Sequence, residues 1–155
     1  MNSRFLQICI LVSMLVASML ASGAEIEVTL APLQQTVKRG ETPRFAVTVK
    51  AIAAVQRIMK FADRQDLRDN YAELIVTRDG KRIEVPRAIS DPGPTGENDY
   101  LRLGPGKSVK FEHDGQPYML SALASGTYSA TVKLRTDWGA DVVMSNHVSF
   151  TVEQR

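Results

Sequence analysis

Trp138 is the one tryptophan of this 155-residue chain, and Asp137 and Arg135 are its nearest polar companions. An aromatic exposed on a loop can stack on a sugar or anchor a protein partner. The plainer alternative is a tryptophan folded back over the end of a core, with Arg135 simply facing solvent. Trp138, Asp137 and Arg135 are the candidate binding residues. His113, Met119, Met144 and His147 combine imidazole with thioether, a set that suits Cu(I). Residues three apart on a strand face opposite ways, so Met144 and His147 diverge. Met144 is therefore expected in the core and His147 at the surface, and no metal ligands are assigned. Asp91, Glu97 and Asp99 could offer oxygens to calcium, but their spacing matches no calcium loop.

Catalytic patterns are missing from the sequence. A zinc endopeptidase needs a His-Glu-x-x-His helix, and the two histidines here lie in no such motif. Serines and aspartates are plentiful, yet no nucleophile elbow or glycine-rich oxyanion loop accompanies them. The only cysteine is Cys9. The expectation is a protein that is not an enzyme and needs no cofactor.

Cys9 lies in a leader. Arg4 supplies positive charge, Phe5 to Ala21 is apolar, and Ser22-Gly23-Ala24 offers small residues for cleavage. Gln7, Ser13 and Ser18 dilute the apolar run, which disfavours the rival reading of an uncleaved anchor. Residues 1–24 are expected to be a signal peptide and residues 25–155 a single domain, periplasmic or secreted, with no membrane insertion after cleavage. Loss of Arg4 takes the formal charge from +2 to about +1. That balance argues against a nucleic-acid partner, which would call for a concentrated basic face. Without a thiol, the domain has to hold itself by burial and sheet pairing.

The elements that would position these residues are strands. Ile26, Val28 and Leu30 alternate with Glu27 and Thr29, and Phe45, Val47 and Val49 with Ala46, Thr48 and Lys50. Over 127–136, Tyr128, Ala130, Val132 and Leu134 share one face while Ser129, Thr131, Lys133 and Arg135 take the other. Val148, Phe150 and Val152 repeat the pattern. One-sided alternation is the mark of half-buried antiparallel strands. Asp79-Gly80 predicts a hairpin between 72–78 and 81–85. Pro105-Gly106 separates 100–103 from 107–112, and Trp138-Gly139 precedes a strand over 140–144. Between Ile52 and Leu67 the apolar residues fit helical spacing, yet Val55, Arg57, Met59 and Phe61 also alternate. A strand over 55–61 followed by an irregular turn is preferred. Pro86 to Asp99 is the longest expected loop.

Four patterns, in this order and spacing, resemble a known domain. They are Asn70-Tyr71 leading to Val76-Thr77-Arg78-Asp79-Gly80-Lys81; Leu103-Gly104-Pro105-Gly106-Lys107-Ser108-Val109; Gly126-Thr127-Tyr128; and Ser145-Asn146-His147-Val148-Ser149-Phe150-Thr151-Val152. The domain is the immunoglobulin-like β-domain that precedes the catalytic domain of secreted lysine-specific metalloendopeptidases. The resemblance spans roughly residues 25–153 and implies the accessory domain without its enzyme. The fold expected is all-β: an immunoglobulin-like antiparallel β-sandwich of about seven to nine strands, preceded by a signal peptide. Gly126-Thr127-Tyr128 also predicts a tyrosine corner, with the hydroxyl turned back to the preceding loop and Ala130 where antibody domains carry a cysteine.

Three functional readings follow from the sequence. The preferred one is an exported non-catalytic module that binds an unknown protein or envelope component through loops or a sheet edge. The others are a secreted protease inhibitor presenting 86–99, and a periplasmic carrier of a small ligand or metal.

Overall fold

A computed structural model describes residues 25–154 except 89, 92, 138 and 139. The leader expected over 1–24 and the candidate residue Trp138 lie outside the described residues. Eleven strands and one short α-helix are found among them, in the order β1 (Ile26–Pro32), β2 (Thr36–Lys38), β3 (Phe45–Ala51), β4 (Gln56–Met59), α1 (Gln65–Tyr71), β5 (Ala72–Arg78), β6 (Lys81–Arg82), β7 (Tyr100–Leu103), β8 (Ser108–His113), β9 (Gly126–Arg135), β10 (Val142–Met144) and β11 (Val148–Glu153). The fold is the all-β sandwich that the alternation predicts.

One layer is the antiparallel sheet β1-β3-β8, and the other runs β2-β11-β9-β5-β6 with β10 also on β9. β4 and β7 form a separate antiparallel pair. The alternating residues meet between the layers: Val28, Leu30, Phe45, Val47 and Val49 from one side, Leu74, Val76, Val132, Leu134 and Phe150 from the other, all buried. Full burial of one such side chain contributes about 1.5–3 kcal/mol. Phe45 meets Phe150 edge-on across the layers at 5.5 Å, and Tyr128 stacks on Phe150 at 5.5 Å.

Several expectations are corrected. The strand segments number eleven because two lines are interrupted. β10 and β11 both run along β9 and are separated by Ser145–His147, while β1 and β2 are split by the turn after Pro32. β2 runs parallel to β11, so the sandwich is not wholly antiparallel. The strand expected over 55–61 shortens to β4, and a helix that the sequence reading missed follows it. Strand 81–85 keeps only Lys81–Arg82, with one further bond from Ile83 N–H to the Val76 carbonyl, 2.9 Å. Thr131, expected outside, is buried because the Ser145 break folds over it: its hydroxyl meets Ser145 Oγ at 3.1 Å. The Asp79-Gly80 hairpin forms with both residues at positive φ, 52° and 74°.

The tyrosine corner is present. Tyr128 Oη donates to the Ala124 carbonyl at 2.6 Å. A second tie closes the open side of the sandwich. At the break between β10 and β11, Asn146 Nδ2 donates to the Leu30 carbonyl at 3.0 Å, and Asn146 Oδ1 accepts from Leu30 N–H at 2.7 Å. One side chain thus behaves as a strand residue paired to β1.

Tyr128→Phe removes one hydrogen bond and keeps the ring stack, so urea unfolding should show a loss of about 1 kcal/mol with an unchanged m-value. Asn146→Ala leaves a donor and an acceptor of β1 without their partner. It should cost more, about 2 kcal/mol by the same measurement.

Candidate functional site

Asp137 follows the end of β9 and is held by residues distant in sequence. β4 and β7 pair with Arg57 opposite Arg102 and Met59 opposite Tyr100, which sets Arg57 and Tyr100 on one diagonal. The Arg57 guanidinium lies over the Tyr100 ring, 3.5 Å from its centroid, a cation–π contact. From there Nη1 reaches Asp137 Oδ2 at 2.9 Å and Nη2 reaches Glu97 Oε1 at 2.9 Å. Tyr100 Oη donates to Asp137 Oδ1 at 2.7 Å. Burial raises the Tyr100 phenol above its ordinary pKa, and Asp137 adds to the rise. Main-chain bonds brace the same corner: Met59 N–H to the Thr136 carbonyl, 3.1 Å, and Lys60 N–H to the Asp99 carbonyl, 2.7 Å.

The residue preceding Trp138 is thus fixed by two strands. Arg135 lies exposed on β9 opposite Val142. Arg57 and Tyr100 were not foreseen, since no local signal links residues 80 and 37 positions from Asp137, and Glu97 was weighed only as a calcium ligand.

The other candidate ligands are employed elsewhere. Asp91 Oδ1 accepts from Gly93 N–H at 2.9 Å, Asp99 Oδ2 from Gly96 N–H at 2.9 Å, and Asp99 Oδ1 pairs with Arg64. Arg64 also forks onto Asp66, holding that carboxyl below its usual pKa. The long loop is tied to α1, where Asn70 Nδ2 donates to the Ser90 carbonyl at 2.8 Å and Arg87 donates to the Asp69 carbonyl. Met144 is about half exposed, contrary to expectation, because it stands opposite Lys133 on the outer face of β9. His147 is exposed, as expected.

His113 is buried and uses both ring nitrogens. Nε2 meets the Ala72 carbonyl at 2.7 Å, which makes it the donor, and Nδ1 accepts from Gly115 N–H at 3.2 Å. The neutral Nε2–H form satisfies both, so no lone pair is left for a metal. Gly115 sits at φ 66°, and a Cβ there would meet Leu120 Cδ1 at 2.4 Å. Burial pushes the His113 pKa down to about 4.

No family model matches the sequence, and no curated protein does. Among solved structures, the chain is similar to the sporulation control protein Spo0M from Bacillus subtilis, with 12% identity and a TM-score of 0.47 over 84% of this chain and 50% of that one. It is also similar to a beta-glucosidase from Listeria innocua, with 16% identity and a TM-score of 0.42 over 83% of this chain and 16% of the enzyme. The chain therefore spans about half of Spo0M and a small part of the glucosidase. Likenesses this low carry neither an activity nor a ligand across.

Below pH 6.5 the unfolded chain protonates His113, while the folded chain resists until about pH 4. Stability should therefore fall with acidification across that window, by an amount on the order of 3 kcal/mol, and this contribution should level off below it. Asp69, whose pKa burial raises, pulls the opposite way. The effect of His113 is read as the difference between the protein and His113→Gln in urea unfolding from pH 7 to pH 4. Parallel curves would refute it.

Proposed function

We propose that this chain is an exported, non-catalytic β-sandwich module that holds a protein or envelope component through its loops or an open sheet edge. One contrast supports the reading. The side chains with chemical capacity, among them His113, Arg57, Tyr100 and Asp137, are engaged in bonds that hold the fold. Apolar side chains, by contrast, stand open: Ile52, Val55, Val142 and Met144 are each 38% to 61% exposed. Exposed apolar groups gathered in one region mark interaction surfaces more often than catalytic ones. Asp137, held by Arg57 of β4 and Tyr100 of β7, supplies a fixed point at the end of β9 for the same purpose.

Export rests on the leader, with Glu25 as the expected new terminus. The test expresses the tagged full chain in its native compartment, cross-links it and identifies what it captures by mass spectrometry. Edman sequencing of the recovered protein should begin at Glu25. One specific partner should be retained, and its yield should drop severalfold with Trp138→Ala or Val55→Glu. Recovery of an intact leader from the cytosol, or yields unchanged by both substitutions, would refute the reading.

A further inference from the structure

Two strand edges face the same side of the sandwich without pairing to each other. On β1, Leu30 turns its N–H and C=O away from β3, toward Asn146. Backbone direction alternates along a strand, so Ile26 and Val28 point theirs the same way. On β10, Ser145 N–H bonds the Val132 carbonyl, and the register pairs Val143 with Leu134. The same alternation turns the N–H and C=O of Val142 and Met144 away from β9. Asn146 closes this side at one end. Toward the other end it opens into a groove of about 680 Å³ lined by Ile26, Gln56, Thr136 and Val143, with Asp141 and with Glu25, whose Oε2 accepts from Gln56 Nε2 at 3.1 Å.

Three independent features meet here. An open strand edge is a template for another strand. Two exposed apolar residues of β10, Val142 and Met144, line the groove, and two more adjoin its lining: Ile52, bonded through its N–H to the Glu25 carbonyl, and Val55, next to Gln56 in sequence. The charged residues of the lining are acidic.

We propose that the β10 edge binds an extended segment of a partner protein by strand addition, and that the segment carries alternating apolar side chains and basic residues. This rests on the binding-module reading and names its occupant. The partner's main chain bonds Val142 and Met144. Its inward side chains cover Ile26 and Val143, its outward ones lie beside Val142 and Met144, and its cations meet Glu25 and Asp141. Main-chain bonds supply affinity and the alternate side chains supply selectivity.

The probe is a blocked heptapeptide of alternating valine and lysine, compared with a version carrying proline at alternate positions. Titrated into the 15N-labelled protein, the first should shift the amide resonances of Val142 and Met144 and slow their exchange with solvent, whereas the proline version should not. Met144→Pro removes a donor that the β9 ladder does not use. It should weaken the peptide about tenfold. Asp141→Lys, at an exposed position, should weaken it also, and thermal midpoints confirm that both variants fold. Absence of shifts at these amides with millimolar peptide overturns the proposal, as do equal effects of the two peptides. A concentration-dependent dimer abolished by Met144→Pro would assign the edge to a second copy and overturn the proposed partner. If the cross-linked partner is captured equally by Met144→Pro, strand addition fails while the binding-module reading stands. If no partner is captured although the peptide binds as described, the binding-module reading fails and the proposed partner with it, and only the edge's affinity for an added strand stands.

Discussion

The layers of this sandwich are tied to each other by directional hydrogen bonds at their margins. The chain has one cysteine, so no disulfide can cross between the sheets within it. His113 on β8 reaches Ala72 at the start of β5, and Asn146 beside β11 reaches Leu30 on β1. Apolar burial presses the sheets together, but it is indifferent to register. The polar crossings select one register, because a buried donor or acceptor left without its partner costs about 1–3 kcal/mol. Ala130 is buried on β9, and the ring pair Phe45 and Phe150 meets across the interior.

The same economy shapes the surface. Charged groups at the Asp137 corner neutralise one another through Arg57, and those beside α1 do so through Arg64. On the flank beside β10, apolar side chains stand exposed among the described residues: Val142, Met144, Ile52 and Val55.

Much of the architecture could be read from alternation. β5 over Ala72–Arg78 and β7 over Tyr100–Leu103 fall where they were expected, because Asp79-Gly80 and Pro105-Gly106 mark the turns that end them. β2 was invisible, being three residues long with only Val37 buried. Helix α1 escaped for a related reason: Gln65, Asp66, Arg68, Asp69 and Asn70 give no apolar stripe, and Leu67 is the lone large apolar anchor before Tyr71. The tyrosine corner was legible because its parts lie within a few residues. The partners of Asp137 and the groove beside β10 were not, since both arise from elements brought together only by the fold.

The parallel pairing of β2 with β11 sets Thr36 beside Thr151 and Lys38 beside Glu153. Together with the Asn146 clamp it joins stretches more than a hundred positions apart, so loop closure has to precede any reward from those contacts. A ribosome adding residues in order cannot complete this seam until β11 has left the exit tunnel. The nascent chain therefore remains unlatched along this seam until β11 has emerged, however early β1 and β2 are made.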